Sequence, residues 1–283
     1  MSEVELDQVG PLAASDARRP FWLTGPRRLF LKRKRALMWK SRQFAAAAAT
    51  PNLPAGVRIY AIGDIHGRAD LLEQLFERID ADLAKYPVAT AIEIFLGDYI
   101  DRGPKSAEVL SHLVTRGKTH RTVCLKGNHE IYILEFLRNP AILKSWAQFG
   151  GLTTLLSYGL KPSLNPGDEE QAELAEELGR VLPHSHRQFL GALPLSFTCG
   201  DFFFVHAGVR PGELLSHQRD DDLLWIRDEF LSHEDAFEKI VVHGHTPVME
   251  PDVRRNRINI DTGAYATGRL TCLRLEGDEI SFI

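Results

Sequence analysis

The 283-residue chain is short of cysteine, with only Cys124, Cys199 and Cys272. Three thiols cannot pair completely, and their spacing fits neither a disulfide framework nor a zinc knuckle. They therefore read as core thiols of a protein from a reducing, cytoplasmic compartment. Long hydrophobic runs are missing as well: no stretch approaches the roughly 18 apolar residues that cross a bilayer. The basic residues 27–35 and the alanines 45–49 are not joined by the apolar middle of a secretory signal. Acids are absent from residues 18–55, which hold ten Lys and Arg, and bases are absent from residues 1–17, which hold four acids. Residues 56–283 carry 24 bases against 34 acids, so the formal net charge of −4 joins a basic segment to an acidic body. With 44% hydrophobic and 25% charged residues, the body is globular.

The first 55 residues have no sustained period, and Pro11, Pro20, Pro26, Pro51 and Pro54 interrupt them, which marks a flexible tail or linker ahead of a folded domain at 56–283. Within the tail, residues 28–44 lack Pro and Gly and are compatible with one helix. From Val57 the chain cycles through strand, polar loop and helix. Predicted strands at 57–62, 91–96 and 122–125 lead into helices at 70–83, 106–114 and from Glu130 towards Arg138. Strands separated by helical crossovers imply a parallel sheet. Residues 141–192 read as a helical, cap-like insertion, with the acidic stretch 168–177 as a solvated helix face. Strands at 193–198 and 202–205 flank Cys199-Gly200-Asp201 as a hairpin. More strands follow at 240–242, 257–260, 270–275 and 280–283, giving a second half that is more antiparallel than the first.

The polar residues fall where those strands end: Asp64 and His66, Asp98 and Asp101, Asn128 and His129, His206, then His243 and His245. Loops at the carboxyl ends of sheet strands are where α/β proteins place ligands, and side chains at i and i+2 off a strand end point the same way. One Asp before Gly is ordinary turn chemistry, but five such clusters in succession point to one rim. Mixed oxygen and nitrogen donors without thiolates suit Mn, Fe or Zn.

The segments Gly63-Asp-Ile-His-Gly67, Gly97-Asp-Tyr-Ile-Asp-Arg-Gly103, Gly127-Asn-His-Glu130, His206-Ala-Gly208 and Gly244-His-Thr-Pro247 occur in the order and at about the separations of the phosphoprotein phosphatase family within the calcineurin-like metallophosphoesterases. Trp225-Ile-Arg227-Asp228 and Asp261-Thr-Gly-Ala264 further resemble its bacterial and bacteriophage lambda members. The resemblance, over roughly residues 57–275, implies an α/β sandwich of two mixed sheets flanked by helices. It implies two divalent ions, Mn first and Fe or Zn next, with Asp64, His66 and Asp98 on one and Asp98, Asn128, His206 and His245 on the other. Asp98 would bridge. Arg102 and Arg227 match phosphate clamps, Tyr265 lies near a phosphate-lining position, and His129 with Asp101 matches a proton-donating pair. His243, two residues before the last ligand, reads as a polar residue at a strand end.

This chemistry suits a phosphate monoester, whose dianion repels nucleophiles. Paired ions about 3.5–4 Å apart lower the pKa of a shared water and bind phosphoryl oxygens, Arg matches those oxygens with permanent charge, and an imidazolium protonates the leaving group. The resemblance implies a phosphatase of phosphoserine, phosphothreonine or phosphotyrosine proteins. The alternative is a hydrolase of diadenosine tetraphosphate or another small phosphate ester, and a deep covered pocket beneath the insertion would favour it over an open peptide groove. Residues 18–44 mix ten basic residues with Trp22, Phe30, Leu31, Leu37 and Trp39. They read either as a solvated tail or as a peripheral contact with an anionic membrane surface, at roughly 1 kcal/mol per basic residue. Nucleic acid is the weaker reading.

Overall fold

A computed structural model describes residues 50–283. The expectations for the basic segment 18–44 and its helix lie outside the described residues. The chain folds into two mixed five-stranded sheets with helices outside them. The first sheet contains β1 (Val57–Ile62), β2 (Thr90–Phe95) and β3 (Thr122–Cys124), joined by β9 (Cys272–Glu276) and β10 (Glu279–Phe282) in the order β10-β9-β1-β2-β3. The second contains β4 (Ser196–Cys199), β5 (Phe202–Val205), β6 (Ile240–His243), β7 (Asp252–Val253) and β8 (Arg257–Asn259) in the order β4-β5-β6-β8-β7.

Alternation along the strands decides which side chain goes where. Ile59, Ala61, Ile92, Ile94, Phe202, Phe204, Leu273 and Leu275 share the core between the sheets. Tyr60, Ile62, Phe95 and Cys272 point the other way, onto α1 (Ala69–Lys85) and α2 (Ser106–Arg116), and Phe203 and Val205 meet α8 (Asp220–Trp225) and α9 (Asp228–Leu231). This burial on both faces is why the strands read as nearly continuous apolar runs.

β1, β2 and β3 run parallel, as do β5, β6 and β8. Six strands therefore release six loops at their carboxyl ends, carrying Asp64 and His66, Asp98 and Asp101, Asn128 and His129, His206, His245, and Asp261. The hairpin at Cys199-Gly200-Asp201 forms as expected, with Gly200 at φ +56°. The second half is more antiparallel than the first, as expected: β4 with β5, β7 with β8, β9 with β1 and β10 with β9 pair antiparallel, whereas β1, β2 and β3 pair only in parallel among themselves. The centre of the second sheet is nonetheless parallel, because the span between β5 and β6 crosses over through α8 and α9, short helices whose apolar period is too brief to read.

Helices α3 (His129–Phe136), α4 (Leu143–Trp146), α5 (Gly151–Ser157), α6 (Asp168–Val181) and α7 (His184–Gly191) complete the helical side. α6 exposes Glu173, Glu176 and Glu177 and buries Leu174 and Leu178. α5 and α7 pack on α2, and α7 also packs on α3. At the other end of the described chain, Leu53 is buried and its N–H donates to the Gly277 carbonyl at 3.0 Å. The Asn52 N–H donates to Asp201 Oδ2 at 2.9 Å. Asn52 and Leu53, ahead of the 55/56 boundary read from composition, therefore pack against the body.

Candidate metal centre

Asp98, 2% exposed, is the common member of two donor groups, one with His66 and His129 and the other with His206 and His245. Within each group the candidate donor atoms lie within 4.8 Å of one another. His66 hydrogen-bonds through Nδ1 to the Ile100 carbonyl at 2.8 Å, which turns its Nε2 lone pair towards Asp98 Oδ2, 3.5 Å away. His206 does the same through Nδ1 to the Leu96 carbonyl at 2.9 Å. Its Nε2 then faces Asn128 Oδ1 at 2.9 Å, His245 Nδ1 at 3.2 Å and Asp98 Oδ1 at 3.4 Å. One imidazole proton cannot satisfy this many converging lone pairs. A cation can, and oxygen with imidazole donors suits a divalent transition metal.

Charge leads to the same conclusion. Asp64, Asp98 and Asp261 are all buried, and burial followed by the charges of Asp261 and Asp98 pushes Asp64 well above the ordinary carboxylate range. Asp261 is pushed up to about 6, chiefly by burial. Buried carboxylates in such a cluster need positive charge beside them. The two arginines nearest are Arg102, half-buried, and Arg227, exposed at the start of α9. Asp64 is not part of either donor group; its carboxylate accepts the His245 main-chain N–H at 3.1 Å.

His129 and Asp101, the pair expected to donate a proton, are in contact: His129 Nδ1 lies 2.6 Å from Asp101 Oδ2. Burial lowers the His129 pKa, but Asp98 and Asp101 outweigh it and hold the ring above its ordinary value. Arg102 Nη2 is 3.3 Å from His129 Nε2, and its guanidinium lies 4.8 Å from the centroid of the Tyr265 ring, which in turn meets His66 edge-on. The Arg227 charge reaches His206 and His245, while that of Arg102 reaches His66 and His129, and both reach Asp261. His243 belongs to neither donor group: its ring meets Phe230 at 4.9 Å, and its Nδ1 lies 3.1 Å from the Gly244 carbonyl. A third group, Asp80, Glu93 and His120, is closed by Arg116, 2.6 Å from Glu93 and 2.9 Å from Asp80.

Among the described residues, left-handed backbone at non-glycine positions is confined to this site. All five non-glycine residues with positive φ among the described residues, His66, Asp98, Asp101, Arg102 and His245, belong to the site. Such conformations cost of order 1–3 kcal/mol each and persist where surrounding contacts impose them. Glycine is needed for close approach at Gly103, where a Cβ would overlap the His66 carbonyl, and at Gly127, where it would overlap the Asp98 carboxylate.

Four supporting residues have no role in the sequence reading. Glu130, 1% exposed, accepts N–H bonds from Asp98 and Gly127 at 2.9 Å and Tyr99 at 2.8 Å, tying two loops together. Trp146 and Thr154 hydrogen-bond Asp101. Asp261 repeats the pattern of a carboxylate two residues past a strand, which is the signal that finds it.

The buried histidines make metal-free stability depend on pH. Burial, with Arg257 adding to it, lowers His243 from 6.5 to about 3; burial lowers His186 and also His66, the latter to about 3. The unfolded chain therefore binds more protons below about pH 6.5, and stability present above that value is lost as pH falls. Each histidine contributes a slope of up to about 1.4 kcal/mol per pH unit. Asp64, Asp261 and His129, each held above its ordinary value, act in the opposite sense, so the test is a difference: in EDTA, His243→Gln is expected to lose less melting temperature than the wild type between pH 7 and 5, and parallel profiles would contradict this.

The model of the family described as calcineurin-like phosphoesterase matches residues 57–270. The chain is a calcineurin-like phosphoesterase. A bis(5'-nucleosyl)-tetraphosphatase PrpE [asymmetrical] of Anoxybacillus flavithermus is 26% identical over 233 residues, 75% of this chain and 88% of that relative. Among solved structures, a candidate diadenosine tetraphosphatase superposes with TM-score 0.57 at 19% identity, covering 81% of this chain and 98% of its own. A cold-active protein tyrosine phosphatase superposes with TM-score 0.51 at 16% identity, covering 81% and 78%. Both superpositions show a shared fold. The expectation of a phosphoprotein phosphatase is thus supported at the level of the phosphoesterase superfamily, while the curated relative carries the activity named as the alternative.

Proposed function

We propose that this calcineurin-like phosphoesterase hydrolyses dinucleoside polyphosphates of the diadenosine tetraphosphate class at a centre of two divalent ions. The observation that carries the reading is Asp98, one carboxylate common to two donor groups. One ion would be held by Asp64, His66 and Asp98 and the other by Asp98, Asn128, His206 and His245, with Mn the first metal to test and Fe or Zn next. Bound there, the ions activate water and neutralise phosphoryl charge. Arg102, Arg227 and Tyr265 border the phosphate, and Asn128 reaches it from the second group. His129, oriented by Asp101, holds the proton that the leaving oxygen takes.

Two things support a nucleotide. One is the tetraphosphatase relative at 26% identity over most of both chains. The other is the rim: of five exposed aromatic side chains among the described residues, three lie against histidines of the centre. Phe149 meets His129 with ring centroids 6.2 Å apart, Trp225 meets His245 at 6.3 Å, and Tyr265 meets His66 at 5.4 Å. Partly exposed aromatic rings beside a phosphate site offer stacking to nucleobases, worth about 1–3 kcal/mol per base.

The EDTA-treated chain is expected to be inactive and Mn²⁺ to restore turnover. Diadenosine tetraphosphate should be hydrolysed with kcat/KM at least about tenfold above phosphopeptides carrying Ser, Thr or Tyr phosphate, from roughly 1.4 kcal/mol of base stacking. Activity confined to phosphopeptides would overturn the substrate reading in favour of a protein phosphatase. No helix among the described residues is long and apolar enough to cross a membrane. For residues 18–44 we propose peripheral docking on anionic lipid. Sedimentation with phosphatidylserine vesicles should lose the protein when residues 1–49 are deleted, and equal binding of both forms would discard the anchor.

A further inference from the structure

Asp101 is fully buried, with φ +71°, and its carboxylate receives more than the His129 ring. The indole N–H of Trp146 donates to Oδ2 at 2.8 Å, the same oxygen that His129 Nδ1 approaches at 2.6 Å. The hydroxyl of Thr154 donates to Oδ1 at 2.6 Å. The Asp101 main-chain N–H in turn donates to Thr154 Oγ1 at 2.9 Å and to Ser106 Oγ at 3.1 Å. Trp146 ends α4 and Thr154 lies in α5, so both come from the insertion at 141–192. The turn between them also accepts the Arg102 N–H, at the Gly150 carbonyl, 3.3 Å away.

We infer that Trp146 and Thr154 are positioning residues for proton transfer: they fix the Asp101 carboxylate, and through it the His129 ring, so that Nε2 faces the leaving-group oxygen. The inference rests on the reading of His129 as proton donor. Indole nitrogen is a donor only, so Trp146 makes Oδ2 an acceptor, and the remaining lone pair there draws the proton of His129 to Nδ1. Thr154 holds the other oxygen and stops the carboxylate from rotating. In hydrolysis one P–O bond forms from water and the P–O bond to the leaving group breaks. The leaving oxygen takes the proton from His129, and the proton released by the water returns to the ring through solvent. An imidazole tilted away from that line still binds its neighbours but transfers its proton poorly, a loss felt most by leaving groups of high basicity. The insertion thus acts as a strut for the acid, which distinguishes it from a cover.

Two readouts test this on the full-length protein. In the metal-free protein labelled with ¹⁵N-histidine, the short Asp101–His129 bond should give a downfield imidazole N–H proton that vanishes in His129→Asn. Thr154→Val and Trp146→Phe should shift or broaden that signal, and Thr154→Ser should keep it. In the Mn²⁺-loaded protein, Thr154→Val and Trp146→Phe should lower turnover of phenyl phosphate by about tenfold and of p-nitrophenyl phosphate by about threefold or less, a fraction of the 10²–10⁴ that general acids supply. Thr154→Ser should restore both. A signal unchanged in Thr154→Val and equal losses on the two esters would overturn the inference, and Thr154→Val decides alone should Trp146→Phe fail to fold. If His129→Asn itself does not discriminate between the esters, the proton-donor reading falls instead.

Discussion

Asp98→Asn is expected to lower kcat/KM for the nucleotide substrate by about 10³-fold or more, roughly 4 kcal/mol of transition-state stabilisation. The substitution is nearly isosteric, and Asn tolerates the positive φ of +52° found there. The main-chain N–H of residue 98 keeps its bond to Glu130. What changes is charge: the one carboxylate common to both donor groups becomes a neutral amide with a single acceptor oxygen. Metal binding should weaken in both halves together. A ligand present at a hundred times its Kd stabilises the native state by about 2.7 kcal/mol, so saturating Mn²⁺ should raise the wild-type melting temperature and leave that of Asp98→Asn nearly unchanged. Loss of one half of the thermal shift only would show that Asp98 serves a single ion.

The second large effect is expected at Glu130. Its carboxylate accepts three main-chain N–H groups, those of Asp98, Tyr99 and Gly127, at 2.8–2.9 Å in a buried position. Glu130→Ala strands all three donors. Each unsatisfied buried donor costs about 1–3 kcal/mol, and partial relaxation leaves a loss of roughly 4–6 kcal/mol by that count. The loops so released carry Asp98 and Asn128, so the Mn²⁺-dependent thermal shift should disappear as well. Glu130→Gln keeps one acceptor oxygen and should recover part of the stability. Urea unfolding of the metal-free proteins gives the comparison, and a Glu130→Ala loss below about 1 kcal/mol would contradict the role.

Much of this site was legible because its residues come from loops that directly follow strands. Asp64, His66, Asp98, Asn128, His206 and His245 each sit within a few residues of a short apolar run, so the end of that run announces them. Their supports leave no such trace. Trp146 looks like any core aromatic of a helix, and Thr154 like any small polar residue; only folding brings them to Asp101 across 45 and 53 residues of sequence. Glu130 stands inside a quoted motif, yet two of its three partners are main-chain N–H groups 31 and 32 residues away, which composition cannot register. The sandwich follows from the strand pattern together with the family resemblance. The parallel centre of the second sheet does not, because α8 and α9, of six and four residues, are too short to show a helical period.

The central claim is a pair of ions held through one carboxylate, and counting metal tests it most directly. After equilibrium dialysis against Mn²⁺, elemental analysis of the full-length protein should find two ions per chain in the wild type and, in parallel, fewer than one in Asp98→Asn. One ion or none in the wild type, or two retained in Asp98→Asn, would contradict the account.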